Sequence, residues 1–221
     1  MAKTFTLPGP VGPLEAVLDG ADIGEDEAAP PAIGVVCHPH SLHGGSLNNK
    51  VVYILARTFV ELGVPTLRFN FRGVGRSAGE YDAGRGEQAD LAAAVAWLQE
   101  RCPGSPLWLA GFSFGSFVAW QAHRDVHATR MVLVAPPVNL FDFGPPRPVD
   151  IPWFVIQGAA DEIVPADAVR QWVATQPNPP HYIELPDAGH FFHARLNDLR
   201  ESVSRWLTDR AEENPMRGSD P

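Results

Sequence analysis

Residues 111–115 read Gly-Phe-Ser-Phe-Gly, a G-x-S-x-G pentapeptide with a strand pattern before it and a helix pattern after it. In that setting the serine sits on a sharp strand-to-helix turn that lifts its hydroxyl out of the sheet. The chemistry open to such a group is nucleophilic attack, which makes Ser113 the candidate nucleophile. Pro106-Leu-Trp-Leu-Ala110 suits a buried strand, and Ser116 through His123 suits the start of a helix. Glycine is expected at 111 and 115 because a side chain at either place would meet neighbouring backbone. On its own the pentapeptide also fits a glycine-punctuated loop, so its partners have to be found elsewhere in the chain.

A hydroxyl needs a neutral imidazole to take its proton, and the imidazole needs a carboxylate to fix its tautomer. For an elbow serine the partners follow in the order Ser, acid, His. Residues 152–158, Pro-Trp-Phe-Val-Ile-Gln-Gly, read as a buried strand, with Asp161 and Glu162 just beyond its carboxyl end. Tyr182–Leu185 reads as a last strand, followed by Asp187, Gly189 and His190. Asp161 and His190 therefore fall in loops after strands, where open parallel sheets carry their functional groups. Glu162 and Asp187 are rival acids, and His193 is a rival base expected to point elsewhere on the final helix. Asp161 could instead cap a helix that Pro165 starts, and Asp187 could cap the last one.

Negative charge developing on a carbonyl oxygen needs two converging backbone N–H groups. One is expected from Phe114, the residue after the nucleophile. The other is expected from the loop after the buried strand 32–37, which reads His38-Pro-His-Ser-Leu-His-Gly-Gly45. Pro39 has no N–H, so His40 is the first candidate and Ser41 the second. The three histidines His38, His40 and His43 also suggest a metal loop. That motif carries an Asp where this chain has Leu42, and further ligands are not evident downstream, so no metal is expected. The expectation is a polar loop at the pocket mouth with His38 packed beneath it.

These residues resemble the α/β-hydrolase superfamily, and more narrowly its small lidless bacterial members. The resemblance rests on His38-Pro-His40 with Gly44-Gly45-Ser46 and Asn49-Lys50, on Phe69-Asn-Phe-Arg72-Gly-Val-Gly75-Arg-Ser77-Ala-Gly79, on the elbow, on Gly158-Ala-Ala-Asp161-Glu-Ile-Val-Pro165, and on Gly189-His190-Phe-Phe. Asn70 stands where the superfamily often has Asp. The resemblance implies an α/β fold, a mostly parallel central sheet flanked by helices on both faces, with no cap domain. It also implies a serine hydrolase acting as an esterase on short acyl esters without a cofactor. The same site would serve a thioesterase or a serine peptidase, and the fold could also persist in a binding protein that has lost the chemistry. A dehalogenase is disfavoured because the nucleophile is Ser rather than Asp.

The elements that must hold these groups read as alternating strands and helices. Lys3–Leu7 and Pro13–Asp19 suggest an antiparallel pair, and residues 20–31 an exposed acidic loop. Helical spacing covers 47–62, 87–101, 166–176 and about 191–209, and Arg130–Ala135 reads as another buried strand. Residues 1–209 read as one domain and 210–221 as a flexible polar tail. The glycine-rich stretch 72–79 has no Gly-Lys-Ser/Thr ending and reads as a turn rather than a phosphate loop. Between the strands near Ala135 and Ile151, Pro136–Asp150 holds five prolines, too short and too stiff for a helical cap. Pocket candidates are Ser41, Leu42 and Phe112, with Phe141 and Phe143 on that proline-rich loop.

A net charge of −9 disfavours nucleic acid and anionic membranes as partners. Two cysteines, Cys37 and Cys102, do not make a disulfide framework. The N-terminal segment has no apolar signal-peptide core, and no apolar run reaches membrane-spanning length. The expectation is a cytoplasmic protein, monomer or homodimer, acting on a small-molecule ester.

Overall fold

The computed structural model describes residues 4–20 and 29–212. Eight strands among them form one sheet: β1 (Thr4–Gly9), β2 (Gly12–Asp19), β3 (Ile33–Cys37), β4 (Thr66–Phe69), β5 (Leu107–Phe112), β6 (Ala128–Val134), β7 (Trp153–Gly158) and β8 (His181–Leu185). Their order is β1-β2-β4-β3-β5-β6-β7-β8. The β1–β2 and β2–β4 pairs are antiparallel and every other pair is parallel. Five helices connect them: α1 (Lys50–Glu61), α2 (Arg85–Arg101), α3 (Phe114–Ala122), α4 (Ala166–Thr175) and α5 (Leu196–Glu212).

Strand side chains alternate between faces, and that alternation divides the core. Val35, Leu109, Leu133 and Val155 pack with residues of α2, α3 and α4. Val36, Ala110, Val132 and Ile156 pack with residues of α1 and α5 on the other face. Because both faces are covered, the central strands read as continuous apolar runs rather than alternating ones. All the parallel strands point the same way, so the loops after β3, β5, β7 and β8 gather at one end of the sheet. No helix lies between β6 and β7, so that end has no cap.

The turn expected in the glycine-rich stretch after β4 is a fastening between that strand and its neighbours. Arg72 donates through Nε and Nη2 to the two oxygens of fully buried Asp90 at 3.0 and 2.9 Å, and its N–H also bonds that carboxylate. The Asn70 side chain accepts from Leu47 N–H and donates to Glu15. Ser77 accepts from Glu15 N–H and donates to Asn70 O.

The final helix differs from expectation at both ends. The final helix begins at Leu196 rather than 191, because Phe192 and Ala194 take positive φ of 52° and 60°. His193 is therefore an exposed residue of the preceding turn, not of the helix. The helix continues to Glu212, so the polar tail expected from 210 starts no earlier than 213. Residues 213–221, the acidic segment 21–28 and Lys3 lie outside the described residues.

Arg72 and Asp90 are both buried, so removing one takes from the other its bidentate charged partner. Asp90→Ala is expected to lower unfolding stability by about 3 kcal/mol or more. Urea unfolding measures it, and a loss under about 1 kcal/mol would contradict the account.

Candidate active site

Ser113 occupies the turn between β5 and α3 with φ 51° and ψ −122°. The positive φ is a strained conformation for a serine, and surrounding bonds hold it there. Ser113 N–H donates to Val134 O at 2.8 Å, and Ser113 O accepts from Ser116 N–H at 2.8 Å. Ser116 Oγ bridges Gly111 O and Val134 O. The flanking glycines are needed for clearance. A Cβ at 111 would lie 2.2 Å from Gly115 O, and one at 115 would lie 2.3 Å from Cys37 O.

The loops after β7 and β8 bring two further groups to this turn. His190 Nε2 lies 3.0 Å from Ser113 Oγ, and its Nδ1 lies 2.8 Å from Asp161 Oδ2. The three side chains come from strands far apart in sequence and share one hydrogen-bonded line. Asp161 is the most heavily bonded of them. Its Oδ1 accepts from the N–H groups of Ile163 and Val164, and its Oδ2 accepts also from Gln157 Nε2 at 2.9 Å. Burial pushes the Asp161 carboxyl up, but the bonds from His190, Val164 and Ile163 together outweigh it and hold it below the usual carboxylate range. It is an anion fixed beside the imidazole.

The expected rivals have other work. Glu162 accepts the backbone N–H of His190 at 3.2 Å and so steadies the loop. Asp187 is exposed in the turn after β8 at φ 56° and lies nine residues before α5, too far to cap it. Pro165 is the N-cap residue of α4 rather than its first residue, and Asp161 does not cap that helix. Gln157 was not anticipated as part of the site. The signal was present, since it is the one strongly polar residue in the buried run 152–158.

The loop after β3 supplies the other wall. His38 is fully buried, and its Nε2 accepts the N–H of Phe71 at 3.0 Å. An amide can only donate, so the neutral ring carries its proton on Nδ1, which donates to Pro39 O at 2.6 Å. That bond fixes the Pro39–His40 peptide plane. In a planar trans peptide C=O and N–H point opposite ways, so His40 N–H faces away from the His38 ring. Neither that N–H nor the N–H of Phe114, first residue of α3, has a protein acceptor among the described residues. Both His38 nitrogens are engaged inside the fold, so His38 is not free to ligate a metal. Among the described residues no group of three His, Cys, Asp or Glu is placed to hold one.

A cavity of about 450 Å³ opens above Ser113, within the range of small-molecule sites. Its walls include Pro39, His40, His43, Gly44, Gly45 and Asn49 on one side, and Pro137, Leu140, Phe141, Ile163 and Phe191 on the other, with Phe114 and His190 at its base. Of the five pocket candidates read from sequence, only Phe141 lines it. Leu42 is 68% exposed because the 3-10 turn Ser41–His43 aims it at solvent. The Ser41 hydroxyl is buried beneath that turn. Phe112 packs on the α5 side of the sheet, with its ring 5.2 Å from that of His190. Phe143 is buried among Phe117, Trp120 and Trp172.

Known proteins share this arrangement of chain. A family model for the alpha/beta hydrolase fold matches residues 36–148. An uncharacterized protein of Rickettsia prowazekii is 38% identical over 185 residues, covering 79% of this chain and 78% of that protein. A solved structure from Xanthomonas campestris, described as an α/β serine hydrolase without lid, is 42% identical with a TM-score of 0.88. It covers 99% of this chain and 97% of its own. An alpha-beta serine hydrolase homologue from Coxiella burnetii is 40% identical with a TM-score of 0.83, over 93% of this chain and 97% of its own.

Burial lowers the His38 pKa to about 4 from the ordinary 6.5. Its contribution to stability is therefore whole above pH 6.5 and is lost as pH falls toward 4, where the unfolded chain takes the proton first. The shift corresponds to about 3 kcal/mol. The urea midpoint of the wild type is expected to drop between pH 7 and pH 4.5 by more than that of His38→Gln. Equal drops would contradict the assignment of His38 as a buried neutral ring.

Proposed function

This chain belongs to the alpha/beta hydrolase fold family, and we propose that it is a serine hydrolase cleaving short-chain carboxylic esters through an acyl-Ser113 intermediate. The observation that carries the reading is the Ser113–His190–Asp161 hydrogen-bonded line at the base of an open cavity. Ser113 Oγ attacks the ester carbonyl carbon while His190 Nε2 takes its proton, and the carbonyl π pair moves onto oxygen. The N–H groups of Phe114 and His40 hold that oxyanion. As the tetrahedral carbon collapses, His190 gives the proton to the departing alcohol. Water then attacks the acyl-serine with His190 again as base, releasing acid and free Ser113. Asp161 stays ionised throughout and stabilises the imidazolium that forms in each half.

The cavity walls favour an uncharged ester over the rival substrates of the same triad. Among the described residues they carry no Lys, Arg, Asp or Glu, and the ionisable side chains there are His40, His43 and His190. A peptide amino terminus finds no carboxylate there, and the phosphates of an acyl-coenzyme A thioester find no fixed cation, on a chain of net charge −9. Leu140, Ile163 and Phe191 line the mouth at 59%, 39% and 39% exposure. Large apolar side chains so placed gain burial when an apolar acyl or alcohol group covers them. With no cap overhead, a long chain would remain in water, which favours short acyl groups. No helix among the described residues is long and apolar enough to cross a membrane, and the thiols of Cys37 and Cys102 are free and buried. The reduced thiols suit a cytoplasmic location, and the proposal includes a monomer or homodimer acting on a diffusible substrate.

Ser113→Ala is expected to lower kcat on p-nitrophenyl esters by about a thousandfold or more while the protein stays folded. Wild-type turnover in that variant would rule the mechanism out. Across substrates, kcat/KM for p-nitrophenyl acetate or butyrate is expected to exceed that for the matching acyl-coenzyme A thioester. The reverse order would move the assignment to a thioesterase. If folded wild type neither cleaves esters nor reacts with a fluorophosphonate at Ser113, a binding protein becomes the better account.

A further inference from the structure

The mechanism above uses only the backbone of His40, yet the His40 imidazole is tied at both nitrogens. Nδ1 accepts the N–H of Leu42 at 3.2 Å, which makes His40 the cap of the 41–43 turn. Nε2 lies 3.1 Å from the Tyr81 hydroxyl. Leu42 N–H can only donate, so in the neutral ring the proton sits on Nε2 and is donated to Tyr81 Oη. Partial burial and the neighbouring His43 both favour that neutral form. The ring also packs 5.1 Å from Phe114 and 4.8 Å from Tyr81.

Tyr81 is itself a fixed point. The residue after it, Asp82, donates its N–H to Glu87 at 2.8 Å, and Gly84 N–H donates to the other Glu87 oxygen at 2.8 Å. Glu87 is fully buried in α2. The segment bearing Tyr81 is thus fastened to a helix packed on the sheet. By contrast, the loop from His40 to Gly45 has few anchors of its own. Two of its N–H groups, those of His43 and Gly45, turn back onto His40 O. Gly44 takes φ 78°, and Gly45 passes so close to Pro39 O that a Cβ would lie 2.0 Å away. His38 fixes the plane of the 39–40 peptide from below and Gly115 packs against the backbone of Cys37 and His38, but among the described residues the backbone hydrogen bonds of 40–45 run only within the loop.

We infer that the His40 imidazole is a positioning group for the oxyanion site, clamped between the 41–43 turn and Tyr81 so that its own backbone N–H is held at the developing oxyanion. The inference rests on the hydrolase reading above. A donor counts only when it meets the oxyanion at about 2.7–3.1 Å, so a loop free to drift loses transition-state stabilisation without losing substrate binding. Substitution at His40 leaves the N–H in place and removes only what aims it.

The test compares His40→Ala, His40→Asn and Tyr81→Phe with wild type. The readouts are kcat and KM on p-nitrophenyl acetate, affinity for an alkyl trifluoromethyl ketone, and melting temperature. The ketone forms a tetrahedral adduct on the serine, and its oxygen occupies the oxyanion position. In His40→Ala, kcat and ketone affinity are expected to fall together by about tenfold or more with KM little changed. Tyr81→Phe should show the same pattern more weakly. In His40→Asn, the amide oxygen can accept Leu42 N–H in place of Nδ1 and should recover much of the loss. If His40→Ala does not fold, Tyr81→Phe removes a single oxygen and carries the comparison. Variants with wild-type kcat and ketone affinity, a change in KM alone, or a loss that His40→Asn does not recover would each overturn the inference. A wild type with no Ser113-dependent turnover and no ketone binding would instead overturn the hydrolase reading, and this inference with it.

Discussion

Everything at the carboxyl end of the sheet is arranged around the strained backbone of Ser113. At φ 51° the residue sits where a serine does not go willingly, at a cost of about 1–3 kcal/mol. The bond from Ser113 N–H to Val134 O and the two bonds of Ser116 Oγ hold it from β6 and from the first turn of α3. Holding it requires glycine on both sides, because Gly111 and Gly115 each meet backbone oxygen with no room for a Cβ. The contact at Gly115 is with the end of β3, so the loop that carries His38 and His40 is set against the elbow at the same point. The strain therefore fixes more than one hydroxyl: it sets the distance between the serine and the root of the loop opposite it, at Cys37 and His38.

The remaining groups are placed by polar side chains that bond to backbone as well as to one another. Asp161 would be expensive to bury alone, and four donors hold it as an anion. Glu162 holds the backbone of His190 rather than competing for its ring. His38 uses both nitrogens to join Phe71 to Pro39 and so decides which way the next amide faces. In each case a polar residue near the site acts on the backbone of a neighbour, which is how loops on an open sheet become rigid enough to carry chemistry.

The elements and the line of three side chains were legible in the sequence because they depend on local pattern. Apolar runs ending in Gly-Ala-Ala-Asp and in Asp-Ala-Gly-His mark strand ends, and parallel strands deliver their loops to one place. The cavity wall was not legible in the same way. Leu42, Phe112 and Phe143 are apolar residues close in sequence to the site, but their directions are set by a 3-10 turn, by strand alternation and by the Trp120 cluster. Leu140, Ile163 and Phe191 line the mouth from three separate loops, and nothing in their spacing says so. The start of α5 was misplaced for a related reason. Phe192 and Ala194 adopt positive φ although neither is a residue type that signals it. Gln157 could have been found, since a lone amide in a buried strand needs a partner.

The mechanism requires a covalent bond to one oxygen, Ser113 Oγ. Mixing the protein with p-nitrophenyl acetate, quenching in acid during turnover and analysing the digest by mass spectrometry tests it directly. The predicted result is a single acetyl group on the peptide containing Ser113, absent from Ser113→Ala and longer-lived when Asp161 is replaced by Asn. Turnover with no adduct on that peptide, or an adduct that persists in Ser113→Ala, would contradict it.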